Sequence, residues 1–288
     1  MMYILTATQM KKTERCANEG GLPYLQMMEN AGAATFTVLQ EAFPSVREIT
    51  VVAGKGNNGG DGFVTARLAA KAGLTVRVLL AEGEPATPDA LTNFCRLAYT
   101  TAQVSALDDW DALPGQLVVD ALYGTGFHGA LRTAGQTACR KIAASGLPVL
   151  ALDLPSGINA DTGAIAEEAL FATLTVSYDS LKPAHILANS LLHCGDLRCL
   201  PIGIPDGCHP AGTPCRILRI DEPDFGCEGA PDRQPLTDRV TLLRESGGAL
   251  RLFMPDNFLY RMALNVGSSV TLGEGLAARF AGDTAALP

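Results

Sequence analysis

Gly54-Lys55-Gly56-Asn57-Asn58-Gly59-Gly60-Asp61-Gly62 is the stretch whose reading decides the fold. Before it runs Ile49-Thr50-Val51-Val52-Ala53, apolar without alternation, as in a strand buried on both faces of a parallel sheet. After it, Phe63 to Ala70 reads as a helix that Gly73 stops. The glycines, on this reading, permit positive φ and let backbone N–H groups approach a ligand closely. A strand that feeds a glycine loop opening a helix is an anion site, because free N–H groups and the helix dipole converge there. A plain turn needs one glycine, so the Asn57-Asn58 pair and Asp61 point to a ligand.

Working outward, the strand–loop–helix unit recurs. Thr75–Leu80, Gln116–Asp120, Pro148–Asp153, Ala172–Tyr178, Gly195–Ile202 and Cys215–Ile220 read as strands. Helices are predicted from Thr87 to about Tyr99 and from Ala134 to Ala144. Upstream, Thr6 and Gln9 form a capping box for a first helix to about Asn18, and Tyr24 to about Phe43 is a second. Glu29-Asn30-Ala31-Gly32 interrupts that helix's apolar stripe, either as a close helix crossing or as a polar pair facing a cleft. Alternating strands and helices predict an α/β fold with a mostly parallel sheet covered on both faces. Ligands of such sheets lie beyond the carboxyl ends of the strands, where Asp61, Asp120 and Asp153 all fall, each beside a glycine loop.

Composition narrows the function. The chain has 288 residues, is 47% hydrophobic and 18% charged, and carries a net charge of −8. That balance is globular and argues against nucleic acid as a partner. No apolar run reaches the roughly 18–20 residues of a membrane span. The N-terminus lacks the basic and apolar regions of an export signal. Eight cysteines without a zinc-type spacing are expected to be ordinary reduced thiols in the cytoplasm. Residues 1–222 carry the regular pattern. The remainder, 223–288, reads as a short extension with strands at Arg239–Leu243 and Leu250–Met254, ambiguous segments at Met262–Val266 and Ala277–Phe280, and a break in the pattern at Pro223–Gly229.

Four motifs in order carry a family resemblance: Met27-Met28-Glu29-Asn30-Ala31-Gly32, Gly56–Gly62, Val119-Asp120-Ala121-Leu122-Tyr123-Gly124-Thr125-Gly126, and Asp153-Leu154-Pro155-Ser156-Gly157 followed by Asp161-Thr162-Gly163. Over residues 3–206 the chain resembles the NAD(P)H-hydrate epimerase family. The resemblance implies a Rossmann-like three-layer α/β/α sandwich, commonly dimeric, that interconverts the R and S forms of hydrated NADH or NADPH with a potassium ion. Asn57, Asn58, Gly59, Gly60, Asp61, Gly124, Thr125, Gly126, Phe127, His128, Gly129, Ala130 and Asp153 would contact the dinucleotide. Asn58, Asp120 and Ser156 would hold the potassium, hard oxygen donors suited to an alkali cation. Asp153 would be the acid–base group. Ser180-Leu181-Lys182-Pro183-Ala184-His185 keeps a Lys-Pro pair but lacks the glycine usual after it. Many bacterial relatives fuse this unit to a hydrate dehydratase, which here would be a separate partner. Two other readings stand beside this one. The first is a binding or scaffold module on the same fold. The second is an NAD-linked oxidoreductase, since Gly54-Lys55-Gly56-Asn57-Asn58-Gly59 satisfies G-x-G-x-x-G.

Overall fold

Buried apolar strands without alternation need cover on both faces, and the computed structural model, which describes residues 2–222 and 236–282, supplies it. In chain order the elements are β1 (Met2–Ile4), α1 (Ala7–Glu19), α2 (Tyr24–Ala42), β2 (Glu48–Ala53), α3 (Asn57–Lys71), β3 (Thr75–Leu80), α4 (Pro88–Arg96), β4 (Gln103–Ala106) and β5 (Leu117–Ala121). There follow α5 (Thr133–Ser145), β6 (Val149–Leu152), β7 (Leu174–Tyr178), α6 (Ala188–Cys194), β8 (Asp196–Leu200) and β9 (Thr213–Asp221). The last described are β10 (Thr237–Arg244), β11 (Ala249–Pro255), α7 (Asp256–Arg261), β12 (Ser269–Leu272) and α8 (Leu276–Gly282).

Seven strands form one parallel sheet in the order β4-β3-β2-β5-β6-β7-β8. Successive side chains enter opposite layers, as the strand period of two dictates. Val51 and Val119 pack with Met28, Phe63 and Ala66 of α2 and α3, whereas Val52 and Val118 pack with Ala138 and Ile142 of α5. The expected three-layer α/β/α sandwich with a parallel sheet is therefore present.

The Glu29–Gly32 interruption resolves as a close helix crossing. A Cβ on Gly32 would collide with Val64 of α3, and Glu29 pairs with Arg67 and Arg96 on the outer side. Asn30 instead donates to the Ile202 carbonyl at 2.7 Å.

Four expectations need correction. Asn57–Gly62 is not loop but the opening of α3. None of Gly54, Gly56, Gly59, Gly60 and Gly62 has positive φ. Their missing side chains serve close packing: a Cβ on Gly59 would strike the Gly54 carbonyl, and one on Gly62 would lie 2.5 Å from the Ala121 Cβ. The expected strand at Cys215–Ile220 forms, but in a second sheet of order β1-β12-β9-β10-β11, where it pairs antiparallel with β10 and β12. Its alternating burial shows why: Cys215 and Ile217 are buried between exposed Arg216 and Leu218, a pattern for a sheet with one wet face. Finally, Cys16 and Cys208 form a disulfide with Cα atoms 5.4 Å apart, so the cysteines are not all free thiols.

The boundary expected after residue 222 falls between β9 and β10, strands that pair with each other. The second sheet also takes in the N-terminal strand β1, parallel to β12. Its core joins Val240, Leu242, Leu252 and Phe258 to Ile4, Leu181 and Leu197 from the first unit. Met262–Val266 forms neither helix nor strand, and Ala277–Phe280 is helical within α8. The break expected at Pro223–Gly229 lies outside the described residues.

Candidate active site

Strand order explains where the site lies. From β2 the chain runs outward through β3 and β4, and then returns to β5 on the other side. The crevice between β2 and β5 is thus the switch point, and loops from both strands diverge from it. Gly54 donates its N–H to the Ala121 carbonyl at 3.0 Å, which carries the two strand ends side by side. Next to β5 lies β6, so the segment Asp153–Gly157 joins the same rim.

Asp153 is fixed from every side. Its φ is 64°, a left-handed conformation that aspartate tolerates better than most residues. Its N–H donates to the Val176 carbonyl at 2.8 Å, and its own carbonyl accepts from His185 Nε2 at 2.9 Å. Oδ2 accepts the Thr125 N–H at 2.9 Å, while Oδ1 lies 2.9 Å from Lys182 Nζ. Burial acts to raise the Asp153 pKa, but the Lys182 charge and hydrogen bond, with smaller help from His185 and Thr125, leave it below the ordinary carboxylate range. Burial likewise acts to lower Lys182, and the Asp153 charge reverses it, so the lysine ends above its usual value. Both partners are held ionised. Lys182 Nζ also donates to Ser177 Oγ at 3.1 Å, the Tyr178 carbonyl at 3.1 Å and the Ser180 carbonyl at 3.0 Å.

His185 sets this geometry from behind. Its Nδ1 accepts from the Lys182 backbone N–H at 3.0 Å, so Nε2 carries the proton given to Asp153. Burial, and then the Lys182 charge, pushes its pKa down to about 4, which keeps the ring neutral.

Asp120 and Ser156 are in direct contact. Ser156 donates its N–H to Asp120 Oδ2 at 2.8 Å and its hydroxyl to Oδ1 at 2.7 Å, and the Leu122 N–H reaches Oδ1 at 3.2 Å. Burial nevertheless raises the Asp120 pKa to about 6, against those hydrogen bonds. Asn58 stands across the rim. A Cβ on Gly124 would be 3.0 Å from Asn58 Oδ1 and 2.9 Å from Asp153 Oδ2, so Gly124 is the floor between them. Asn58 Nδ2 is buried with no hydrogen-bond partner.

Over this floor is a cavity of about 430 Å³. Of the residues expected to contact a dinucleotide, Asn57, Asn58, Asp61, Gly124, Thr125, Gly126, Phe127 and Asp153 line it. Gly59 and Gly60 are buried within α3, and His128, Gly129 and Ala130 are exposed beyond the lining. His128 Nδ1 meets Asn159 Nδ2 at 2.9 Å. Asp120 and Ser156 sit fully buried below the cavity wall. Other lining residues were not among the expected contacts: Met10, Lys11 and Glu14 of α1, Tyr178, and Lys182 of the Lys-Pro pair. The only sequence signal for Lys182 is a lysine before proline at the end of an apolar strand. Glu14 lies on the same helical face as Met10 and Lys11, spaced by four and three residues.

A parallel sheet covered on both faces, with a cavity at its switch point, defines a doubly wound α/β protein. More particularly, the chain belongs to the family described as YjeF-related protein N-terminus, which matches residues 24–184. This bears out the resemblance drawn from the four motifs. An NAD(P)H-hydrate epimerase of Rhodobacter capsulatus is 39% identical over 198 residues, covering 64% of this chain and 92% of the relative. A bifunctional NAD(P)H-hydrate repair enzyme of Pyrobaculum aerophilum is 38% identical over 214 residues, covering 71% of this chain. The chain spans only 42% of that relative's length. Among solved structures, that of yeast ynu0 superposes with a TM-score of 0.58 at 24% identity, covering 65% of this chain and 85% of the yeast chain, a likeness of fold.

Proposed function

We propose that the chain epimerises the hydroxyl-bearing ring carbon of hydrated NADH and NADPH. The observation that carries this reading is the meeting of Asn58, Gly124, Thr125 and Asp153 around one cavity at the switch point. The names of the relatives that match across the same residues support it. The start of α3 and the N–H groups of Gly124 and Gly126, beside the Thr125 N–H that Asp153 already takes, would suit the phosphates. Epimerisation takes the ring through a planar, positively charged state. Asp153, held ionised by Lys182, supplies a fixed negative charge beside it, the form of catalysis in which preorganised charge meets developing charge. That role replaces the proton shuttle expected from sequence, because an ion-paired carboxylate below its ordinary pKa is a poor proton carrier.

Asn58, Asp120 and Ser156 would hold the potassium ion. The donor set fits: all are hard oxygens, and Asp120 is a buried carboxylate whose own hydrogen bonds do not offset its burial. When bound, the cation supplies positive charge next to the dinucleotide's phosphates. A homodimer, and functional pairing with a dehydratase, belong to the same proposal, as does a cytoplasmic setting; among the described residues no helix is long and apolar enough to cross a membrane.

Chiral chromatography of one purified epimer of hydrated NADPH, with and without protein, tests the activity. Exchange well above the buffer rate is expected, and it should fall when potassium is replaced by a bulky organic cation. An oxidoreductase would instead consume NADPH with an acceptor, and a scaffold would leave both reactions at the buffer rate.

A further inference from the structure

If Asp153 is a fixed anion, the reaction still needs a group that moves a proton. Four other carboxyl groups line the cavity, and they differ in setting: Glu82 accepts the Tyr123 hydroxyl at 2.9 Å, Asp89 lies in the first turn of α4, and Asp61 and Glu14 remain. Asp61, in the opening turns of α3, is pushed well above the carboxylate range by burial and by the charges of Asp153 and Glu14. Glu14, from α1, lines the same cavity. It is half-buried, and no hydrogen bond or ion pair engages it among the described residues. Burial raises it to about 7; Lys182 from the β7–α6 connection and Lys11 from its own helix act to lower it, and Asp153 and Asp179 act to raise it. A carboxyl free of partners, facing the same cavity as a locked anion, is where a proton can come and go.

We propose that Glu14 is a catalytic residue of this site, the carboxyl group that protonates the departing hydroxyl and takes the proton back from the water that re-adds; the inference rests on the epimerase reading above. In the first half, Glu14 gives its proton to the hydroxyl on the tetrahedral ring carbon. The C–O bond breaks with its electron pair leaving on water, and the ring nitrogen's lone pair closes an iminium. Asp153 faces the resulting positive charge. The planar ring turns about its glycosidic bond, water adds to the other face, and its surplus proton returns to Glu14. No atom or electron is left over.

The test is epimer exchange on hydrated NADPH by the full chain across pH 5.5–8.5, with buffer rates subtracted, for wild type, Glu14→Gln and Glu14→Ala. Dissociation constants for NADP⁺ are measured alongside. Wild-type exchange should fall as pH rises above about 7, because the acid form is lost there. Glu14→Gln should lose about 10²–10⁴-fold in rate, keep its NADP⁺ affinity, and no longer show that fall. Should the glutamine variant not fold, Glu14→Ala decides, and added acetate should restore part of its exchange, which a merely structural role would not allow. Exchange within a few-fold of wild type in either variant, with the same pH profile, overturns the assignment while the epimerase reading stands. A wild type no faster than buffer at any pH overturns both.

Discussion

Replacing Asp153 by asparagine separates charge from shape at the centre of the site. Asparagine keeps the size, tolerates the φ of 64° and leaves an oxygen for the Thr125 N–H. What disappears is the negative charge 2.9 Å from Lys182 Nζ, in a place where the lysine side chain is only 1% exposed. Breaking a buried ion pair by removing one partner costs about 3–5 kcal/mol, because the remaining charge stays buried. Lys182 retains the oxygens of Ser177, Tyr178 and Ser180, which places the expected cost at the low end, about 3 kcal/mol. For a domain of this order of size that is a fall in melting temperature of roughly 6–12 °C. The assay is a double-mutant cycle with Lys182→Met, read by thermal unfolding. In the Lys182→Met background, Asp153→Asn should cost less than about 1 kcal/mol, since no buried ammonium is left to strand. Folded Asp153→Asn should also lose about 10²–10³-fold in epimer exchange while binding NADP⁺ with near-normal affinity. An equal stability cost in both backgrounds would refute the ion-pair argument, and near wild-type exchange would remove Asp153 from the mechanism.

Other consequences follow from the same geometry. Gly124→Ala puts a methyl group 2.9–3.0 Å from the side-chain oxygens of Asp153 and Asn58, so it should displace them, lower the melting temperature and cost on the order of 10²-fold in exchange; unaltered kinetics would show that the ligand does not cross this floor. A chain ending at residue 221 strips cover from Ile4, Leu181 and Leu197, each worth about 1.5–3 kcal/mol when buried, and should yield aggregated protein; a soluble product with the full-length melting temperature would make the second sheet a dispensable appendage. His185 is neutral in both folded and unfolded chains above about pH 6.5. As pH falls from there toward about 4, the unfolded chain binds a proton that the folded ring refuses, so about 3 kcal/mol of stability is lost. Glu14 and Asp120, raised to about 7 and about 6, act oppositely and lose stability as pH rises, so the His185 part is read as wild type minus His185→Gln; a difference that does not shrink on acidification contradicts the neutral buried ring.

Local patterns in the sequence were enough for the parallel sheet, its strand order in the chain, and the placement of Asp120 and Asp153 at strand ends, with Asp61 in the helix that follows one. Strand burial, glycine spacing and helix stops are properties of neighbouring residues, and they are written locally. Contacts between distant segments are not. Lys182 comes to Asp153 only because β7 lies beside β6, and Glu14 faces them only because α1 lies over the rim. The glycines after β2 illustrate the limit most directly. Composition suggests a flexible loop, yet Gly54, Gly59 and Gly62 stand where backbone and Ala121 leave no room for a side chain, so the segment folds as helix from Asn57. Met2–Ile4 is too short to announce a strand, and becomes one because β12, more than 260 residues later, offers an edge to pair with. The disulfide between Cys16 and Cys208 has the same origin: a separation of 192 residues in sequence, closed to 5.4 Å between Cα atoms by the packing of α1 against the segment after β8.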